Sequence, residues 1–312
     1  MNLTQTLKLF WKQRFLQVFV LVGVGFVIVF NYVPMFGLMM AFRKYSIASG
    51  IQGIFTSEWV GLKYFTEFIT DYKTGTIIRN TLVMSFAKLI LSFPVPILLA
   101  LLLSEVRNKP LKRVIQTASY LPYFISWVIV SGFASIFFGL NGVVNTIGMN
   151  IGLIEEALPF LSGNKYFLPI VIGTAIWKDM GWWAIIFLAS IAGIDPSQYE
   201  SAEIDGAGRL QRIWYITLPG ISGTITIVTI LAVGNLLGGG LSGSNFEQAY
   251  LLGNAGNNEV SDIIQTYVMR VGINENRYSY ATAVGLMQSI ISVILIYFSN
   301  QAAKKISGNS LF

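Results

Sequence analysis

The sequence predicts an all-α, polytopic membrane fold with six spanning helices, on three observations. Hydrophobic residues make up 54% of the 312 and charged residues 12%, with a mean hydropathy of +0.63, far from the balance of a soluble domain. Six apolar runs, each near the roughly 20 residues a helix needs to cross hydrocarbon, follow one another along the chain. Between the fourth and fifth lies a polar, helix-forming insert that neither a soluble core nor a plain lipid-embedded bundle requires.

The runs are 16–40, 81–103, 119–138, 167–191, 221–237 and 281–299. The first follows Lys8, Lys12 and Arg14 and has the look of a signal peptide. It is too long for one, has no small-residue cleavage pattern after it and carries Pro34, so it reads as a retained span. Arg107, Lys109, Lys112 and Arg113 between the second and third runs form the densest basic cluster, which puts that loop on the cytoplasmic side. An even number of spans then places both termini there, in agreement with Lys8, Lys12, Arg14, Lys304 and Lys305. The long loop after the first run carries Arg43, Lys44, Lys63, Lys73 and Arg79, offset by Glu58, Glu67 and Asp71. Pro34, Pro94, Pro96, Pro122 and Pro169 sit in or near spans, remove backbone donors and favour kinks. After the fifth run, Gly238–Gly243 opens a polar loop rich in Asn and Gly. Its segment Asn245, Phe246, Glu247, Gln248, Ala249 and Tyr250 is flanked by glycines and reads as mobile.

The formal net charge of +6 is carried at the ends of apolar runs, which fits topology and anionic headgroups rather than nucleic acid. With no cysteine and no histidine, thiolate chemistry, disulfides and the commonest metal ligand and general base are excluded. A membrane-embedded enzyme would have to work from Lys88, Lys178 and Asp179, and no motif organises them. A secondary transporter often shows internal repeats, and none is evident.

The insert at 195–220 reads as a helical hairpin. Asp195 can cap the first amides and Pro196 suits the first helical position. Asp205-Gly206 ends that helix, since glycine reaches the left-handed region without a Cβ penalty. A second short helix covers 210–216, and Pro219-Gly220 stops it before the fifth span. Ala202 and Gly206 let a partner's groove approach closely, while Glu200 and Asp205 offer charge. The plain reading is an amphipathic surface connector.

The pattern Glu200-Ser201-Ala202, three residues, Gly206, nine residues, then Ile216-x-Leu218-Pro219 resembles the coupling loop of ABC importer permeases over its whole length. Ser201 departs from the usual alanine, a small change. Other segments resemble the oligosaccharide and polysaccharide branch of the carbohydrate-uptake permeases, so the likeness covers nearly the whole chain. They are Asn31-Tyr32-Val33-Pro34 with Ala41-Phe42, Trp59-Val60-Gly61-Leu62-Lys63-Tyr64-Phe65, Asn80-Thr81-Leu82, Ser119-Tyr120-Leu121-Pro122, Trp177-Lys178-Asp179 with Gly181-Trp182, and the end from Lys305 to Phe312. The resemblance implies a type I importer in the bacterial cytoplasmic membrane. In it a homologous second permease pairs with this one, and two separate ATPase subunits hold ATP-Mg and grip Glu200, Ser201, Ala202, Asp205, Gly206, Ile216, Leu218 and Pro219. An extracellular or periplasmic binding protein delivers an oligosaccharide. It also implies a division into 1–75 (N-terminal segment, first span, external loop), a core of 76–300 containing 195–220, and a tail of 301–312. The chain has no G-x-x-x-x-G-K-[ST] phosphate loop, so ATP belongs to the partners, and neither cofactor nor metal is expected on this chain. An ABC permease for a non-sugar solute remains the alternative.

Lys88, Lys178 and Asp179 are ionisable groups in apolar runs and must face a partner or a watery path. One reading is an ion pair of Lys88 or Lys178 with Asp179. The other is a lining of the sugar pathway that favours an acidic oligosaccharide, since residues 178 and 179 point about 100° apart on a helix. Trp177, Trp182 and Trp183 suit either interfacial anchoring or stacking on sugar faces. Asn245, Glu247, Gln248 and Tyr250 join the candidate pathway because the resemblance places that region near the entering sugar or its binding protein.

Overall fold

A computed structural model of the chain describes residues 12–307; Lys8 and residues 308–312 of the C-terminal motif lie outside them. Helices dominate, and the single β pairing among the described residues is an isolated bridge between Arg43 and Trp59. Among the described residues five helices are long and apolar enough to cross a membrane: Arg14–Phe42, Thr74–Glu105, Trp127–Asn150, Asn164–Ala192 and Tyr278–Lys305. A sixth span exists if Arg209–Gly220 and Ser222–Gly234, bent by 61° at Ile221, count as one. The expected all-α multispan class is therefore the observed one.

Two boundaries differ from expectation for local reasons. The third span starts at Trp127 rather than 119, because Pro122 sits in a tight 3-10 turn, Leu121–Phe124, and Ser126 caps the new helix by accepting from the Ile129 amide at 3.4 Å. Ser222–Gly234 spans only about 20 Å at 1.5 Å per residue, short of the hydrocarbon thickness. The fifth apolar run is thus a broken element. Proline also explains two wide π turns: Ile28–Tyr32 precedes Pro34, and Ile213–Thr217 precedes Pro219. Each ring removes the amide that would close a normal turn, and the ladder relaxes to i→i+5.

The described residues form two compact units, one up to Asp71 with Val268–Met287, the other Tyr72–Tyr267 with those from Gln288 on. In the first, Arg14–Phe42 has no buried residue in its most apolar window, as expected of a helix whose solvent is hydrocarbon. After it, Phe42 stacks on Trp59 at 5.5 Å, and the Arg43 guanidinium lies over the same indole while donating to Ser57 O. Glu67 pairs with Arg277, the Tyr45 amide donates to Ser279 Oγ at 2.9 Å, and Phe68 meets Tyr280 edge-on.

In the second unit the 29-residue helix Asn164–Ala192 is the central post. Its Gly181 crosses so close to the Ser119 carbonyl that an added Cβ would sit 2.0 Å from that oxygen, so glycine here is a packing requirement. One apolar cluster joins Met84, Ala134, Val171, Ala249 and Ile263; another joins Ala100, Ala184, Phe187 and Val228. The segment expected to be a mobile loop is instead the helix Asn245–Leu252, with Asn245 and Gln248 fully buried. Gly239 (φ +112°), Gly240 (φ +63°) and Gly243 (φ +58°) reverse the chain after the fifth run and feed this helix back among its neighbours.

Candidate functional site

The polar hairpin is built as its sequence dictates. Asp195 accepts from the Ser197 amide at 2.9 Å, and the helix Pro196–Ile204 follows. That hydrogen bond holds the exposed Asp195 carboxyl below its ordinary value. Gly206 adopts φ +76°, while the Ala207 amide reaches back to Ala202 O at 2.8 Å and the Gly206 amide to Glu203 O at 3.1 Å, closing the carbonyl end. Gln211 Oε1 takes the Gly208 amide at 2.7 Å and starts the second helix. The second arm runs on to Gly220 and stops there, as Pro219-Gly220 leads one to expect, and the chain bends at Ile221 before the fifth run.

Side-chain bonds fix the angle between the two arms. Tyr199 Oη and Thr217 Oγ1 are 3.0 Å apart, with Thr217 buried, and Arg212 pairs with Glu203 at 3.4 Å. The stems converge, since a Cβ on Gly220 would lie 2.7 Å from Ile194 Cδ1. Glu200, Ser201, Asp205, Gly206 and Pro219 are exposed, and Ala202, Ile216 and Leu218 half-buried. Sequence reasoning missed the apolar tips: Ile204 is 88%, Leu210 73% and Tyr215 80% exposed, with Trp214 beside them.

The two lysines of the spans are held by neutral oxygens and aromatic rings rather than by the direct ion pair that one reading expected. Among the described residues neither lysine forms an ion pair with Asp179. Lys88 Nζ donates to Gln248 Oε1 at 2.7 Å, Ser244 Oγ at 3.0 Å and Asn245 Oδ1 at 3.1 Å, which uses all three of its protons. Asn245 Nδ2 donates in turn to Ser85 Oγ at 2.9 Å, and Gln248 Nε2 to Val171 O and Thr174 Oγ1 at 2.8 and 3.0 Å. Neutral oxygens satisfy the buried ammonium and tie three segments together, which is why no contact carboxylate is needed. Ser85 and Lys88, three apart on one helix face, are the signal in the sequence that could have announced this knot.

Lys178 donates to Tyr123 O and lies over the rings of Tyr123 and Trp127 at 5.0 and 5.6 Å. Trp182 stacks on Tyr123 at 4.4 Å, so its ring face is taken. Trp177 differs: it is 40% exposed and opens on a groove of about 670 Å³ between Trp127–Phe138 and Asn164–Ala192. Phe133, Phe137, Phe138, Phe160 and Tyr166 supply the other aromatic part of its wall. Glu247 keeps one buried carboxylate oxygen without a protein hydrogen bond, and Tyr250, 55% exposed, stacks on Phe246. No group of three or more metal-ligating side chains is present among the described residues.

Residues 92–307 match the family described as binding-protein-dependent transport system inner membrane component, and the chain belongs to that family. It is similar to Protein LplB of Bacillus subtilis (strain 168), 42% identical over 302 residues, 96% of this chain and 92% of that protein. The polygalacturonan/rhamnogalacturonan transport system permease protein YteP of the same strain is 41% identical, over 96% of this chain and 91% of its own length. Among solved structures, a bacterial ABC transporter involved in the import of the acidic polysaccharide alginate matches with a TM-score of 0.87 and 35% identity. The match covers 97% of this chain and 99% of that one. That transporter is also known in complex with a periplasmic protein bound to alginate pentasaccharide.

Proposed function

We propose that this permease imports oligosaccharides rich in uronic acid, moving them by alternating access when separate ATPase subunits act on the 195–220 hairpin. The observation that carries the reading is the hairpin: both arms are clamped to each other, the stems touch, and the Glu200–Gly206 edge and apolar tips are left free. A docked ATPase can push on such a unit as one body and turn the spans at its stems. Glu200, Ser201, Ala202, Asp205, Gly206, Ile216, Leu218 and Pro219 serve as the coupling residues, within a core of 76–300. A homologous permease completes the pathway, two ATPases bring ATP-Mg, and an external binding protein brings the sugar. Both termini face the cytoplasm, as the basic tract at 107–113 favours.

The acidic cargo is supported by the two relatives named for polygalacturonan/rhamnogalacturonan and alginate. Trp177 and the groove beside it suit the apolar faces of pyranose rings. Lys88 and Lys178, both engaged inside the protein, do not serve as free cations for it. The test is reconstitution with the partner subunits followed by Glu200→Lys and Gly206→Trp. ATP-dependent uptake should collapse in both, and Glu200→Lys should do so while the permease still melts near the wild-type temperature. Unaltered assembly and uptake in both variants would sink the coupling assignment.

A further inference from the structure

Between residues 88–96, 175–183 and 239–242 lies a small cavity of about 30 Å³. Three polar atoms of residues lining it are buried without a protein hydrogen bond: Ser92 Oγ, Asp179 Oδ2 and Trp183 Nε1. Asp179 is only 9% exposed, and a carboxylate oxygen left alone at such depth is costly. Lys88 and Ser242 line the same cavity.

The three atoms set conflicting demands on an occupant. The indole N–H can only donate, the carboxylate oxygen only accept, and the hydroxyl can do both. A metal cation would suit Asp179 but face the indole proton and the Lys88 ammonium; an anion would face Asp179. Water answers all of them. One ordered water needs roughly 10–15 Å³ of such space, so the cavity has room for about two. A path already leads from it to the lysine, because Ser242 Oγ and Ser244 Oγ are 2.8 Å apart and Ser244 Oγ accepts from Lys88 Nζ at 3.0 Å.

We infer that this cavity is a binding site for about two ordered waters, which hydrogen-bond Asp179, Trp183 and Ser92 and join them through Ser242 and Ser244 to Lys88. Lys88 and Asp179 are then a water-separated ion pair inside the spans. The site bridges the second and fourth spans and the Gly239–Ser242 turn that follows the broken fifth run.

Hydroxyl-radical labelling by synchrotron X-rays, read by mass spectrometry on the whole protein in lipid nanodiscs, tests this, because bound water is the radical source. Trp183 should be oxidised several-fold faster than the fully buried Phe187. Ser92→Val with Asp179→Leu should bring Trp183 down to the Phe187 rate while leaving Trp182 unchanged, and Asp179→Asn, which still binds water, should keep it high. A wild-type Trp183 labelled no faster than Phe187 means a dry cavity and overturns the site, whether or not the double variant folds. So does labelling that the double variant leaves untouched.

Discussion

Lys88 shows how a single charged residue is made compatible with a spanning helix. Its ammonium is held by three neutral oxygens, with Asp179 and Glu247 supplying opposite charge nearby. Lys88→Met keeps the stem but strands the oxygens of Ser244, Asn245 and Gln248, so a loss of about 1–3 kcal/mol is expected from the unsatisfied acceptors. A thermal melt of the purified permease reads it, and a melting temperature equal to wild type would show that the knot contributes nothing. Asp195 gives a second prediction, in pH. Its carboxyl is held below the ordinary aspartate value of 3.8 by the Ser197 amide. A depressed folded value means that the stabilisation is fully present above the ordinary value and is lost as pH falls through the folded one. The stability gap between wild type and Asp195→Asn should therefore be flat near neutrality and shrink once pH drops below about 4. A gap that holds constant through that range argues against a charge-assisted cap.

The hairpin is the element where sequence and structure agree most closely, because its signals are local. Asp195-Pro196 starts the first arm and Gly206 ends it, each through backbone conformation that one or two residues decide. A Cβ on Gly206 would meet nothing within 4 Å, so its requirement is φ alone. Gly206→Val should then cost roughly 1–2 kcal/mol of hairpin stability, with Gly206→Asn milder, since asparagine visits the left-handed region more readily. Hydrogen exchange at the Ala207 amide measures this, and equal protection in both variants would remove the conformational argument. The clamp between the arms makes a separate prediction about coupling. Tyr199→Phe deletes only the hydroxyl that meets Thr217, worth about 0.5–1.5 kcal/mol. In the assembled importer it should lower the sugar moved per ATP hydrolysed while ATPase activity persists, and in the wild-type background Thr217→Ser, which keeps a hydroxyl, should preserve the ratio where Thr217→Val lowers it. Elements held by distant partners were not legible in the same way. Asn245–Leu252 reads as a loop because Asn, Glu and Gln are polar, and the residue that buries it, Lys88, lies 156 to 160 positions away. The fifth run misleads in its length: Pro219-Gly220 announces the break at Ile221, but an apolar stretch does not state that its helix ends at Gly234.

Across the whole molecule, the division of labour between permease and cargo follows from where the charges went. A sequence with two lysines in its spans invites the reading that they attract an acidic sugar. The folded chain uses Lys88 to knot three segments and Lys178 to hold Tyr123 and Trp127, so the sugar contact proposed above falls to the aromatic groove beside Trp177. Ring stacking is blind to the charge of the cargo, because the C–H faces of a uronate and a neutral hexose are alike. Under the proposed function, a preference for acidic chains then belongs to the binding protein rather than to the spans. Uptake of an acidic and a neutral oligosaccharide by the same assembled importer separates these roles. Trp177→Ala should reduce both about tenfold, the size of one lost aromatic contact of roughly 1.4 kcal/mol. Lys178→Gln should lower the melting temperature yet leave the acidic-to-neutral ratio where it was. A ratio that shifts toward the neutral sugar in Lys178→Gln would place charge selection inside the permease, and would mean that Lys178 leaves Tyr123 during the transport cycle to meet the cargo.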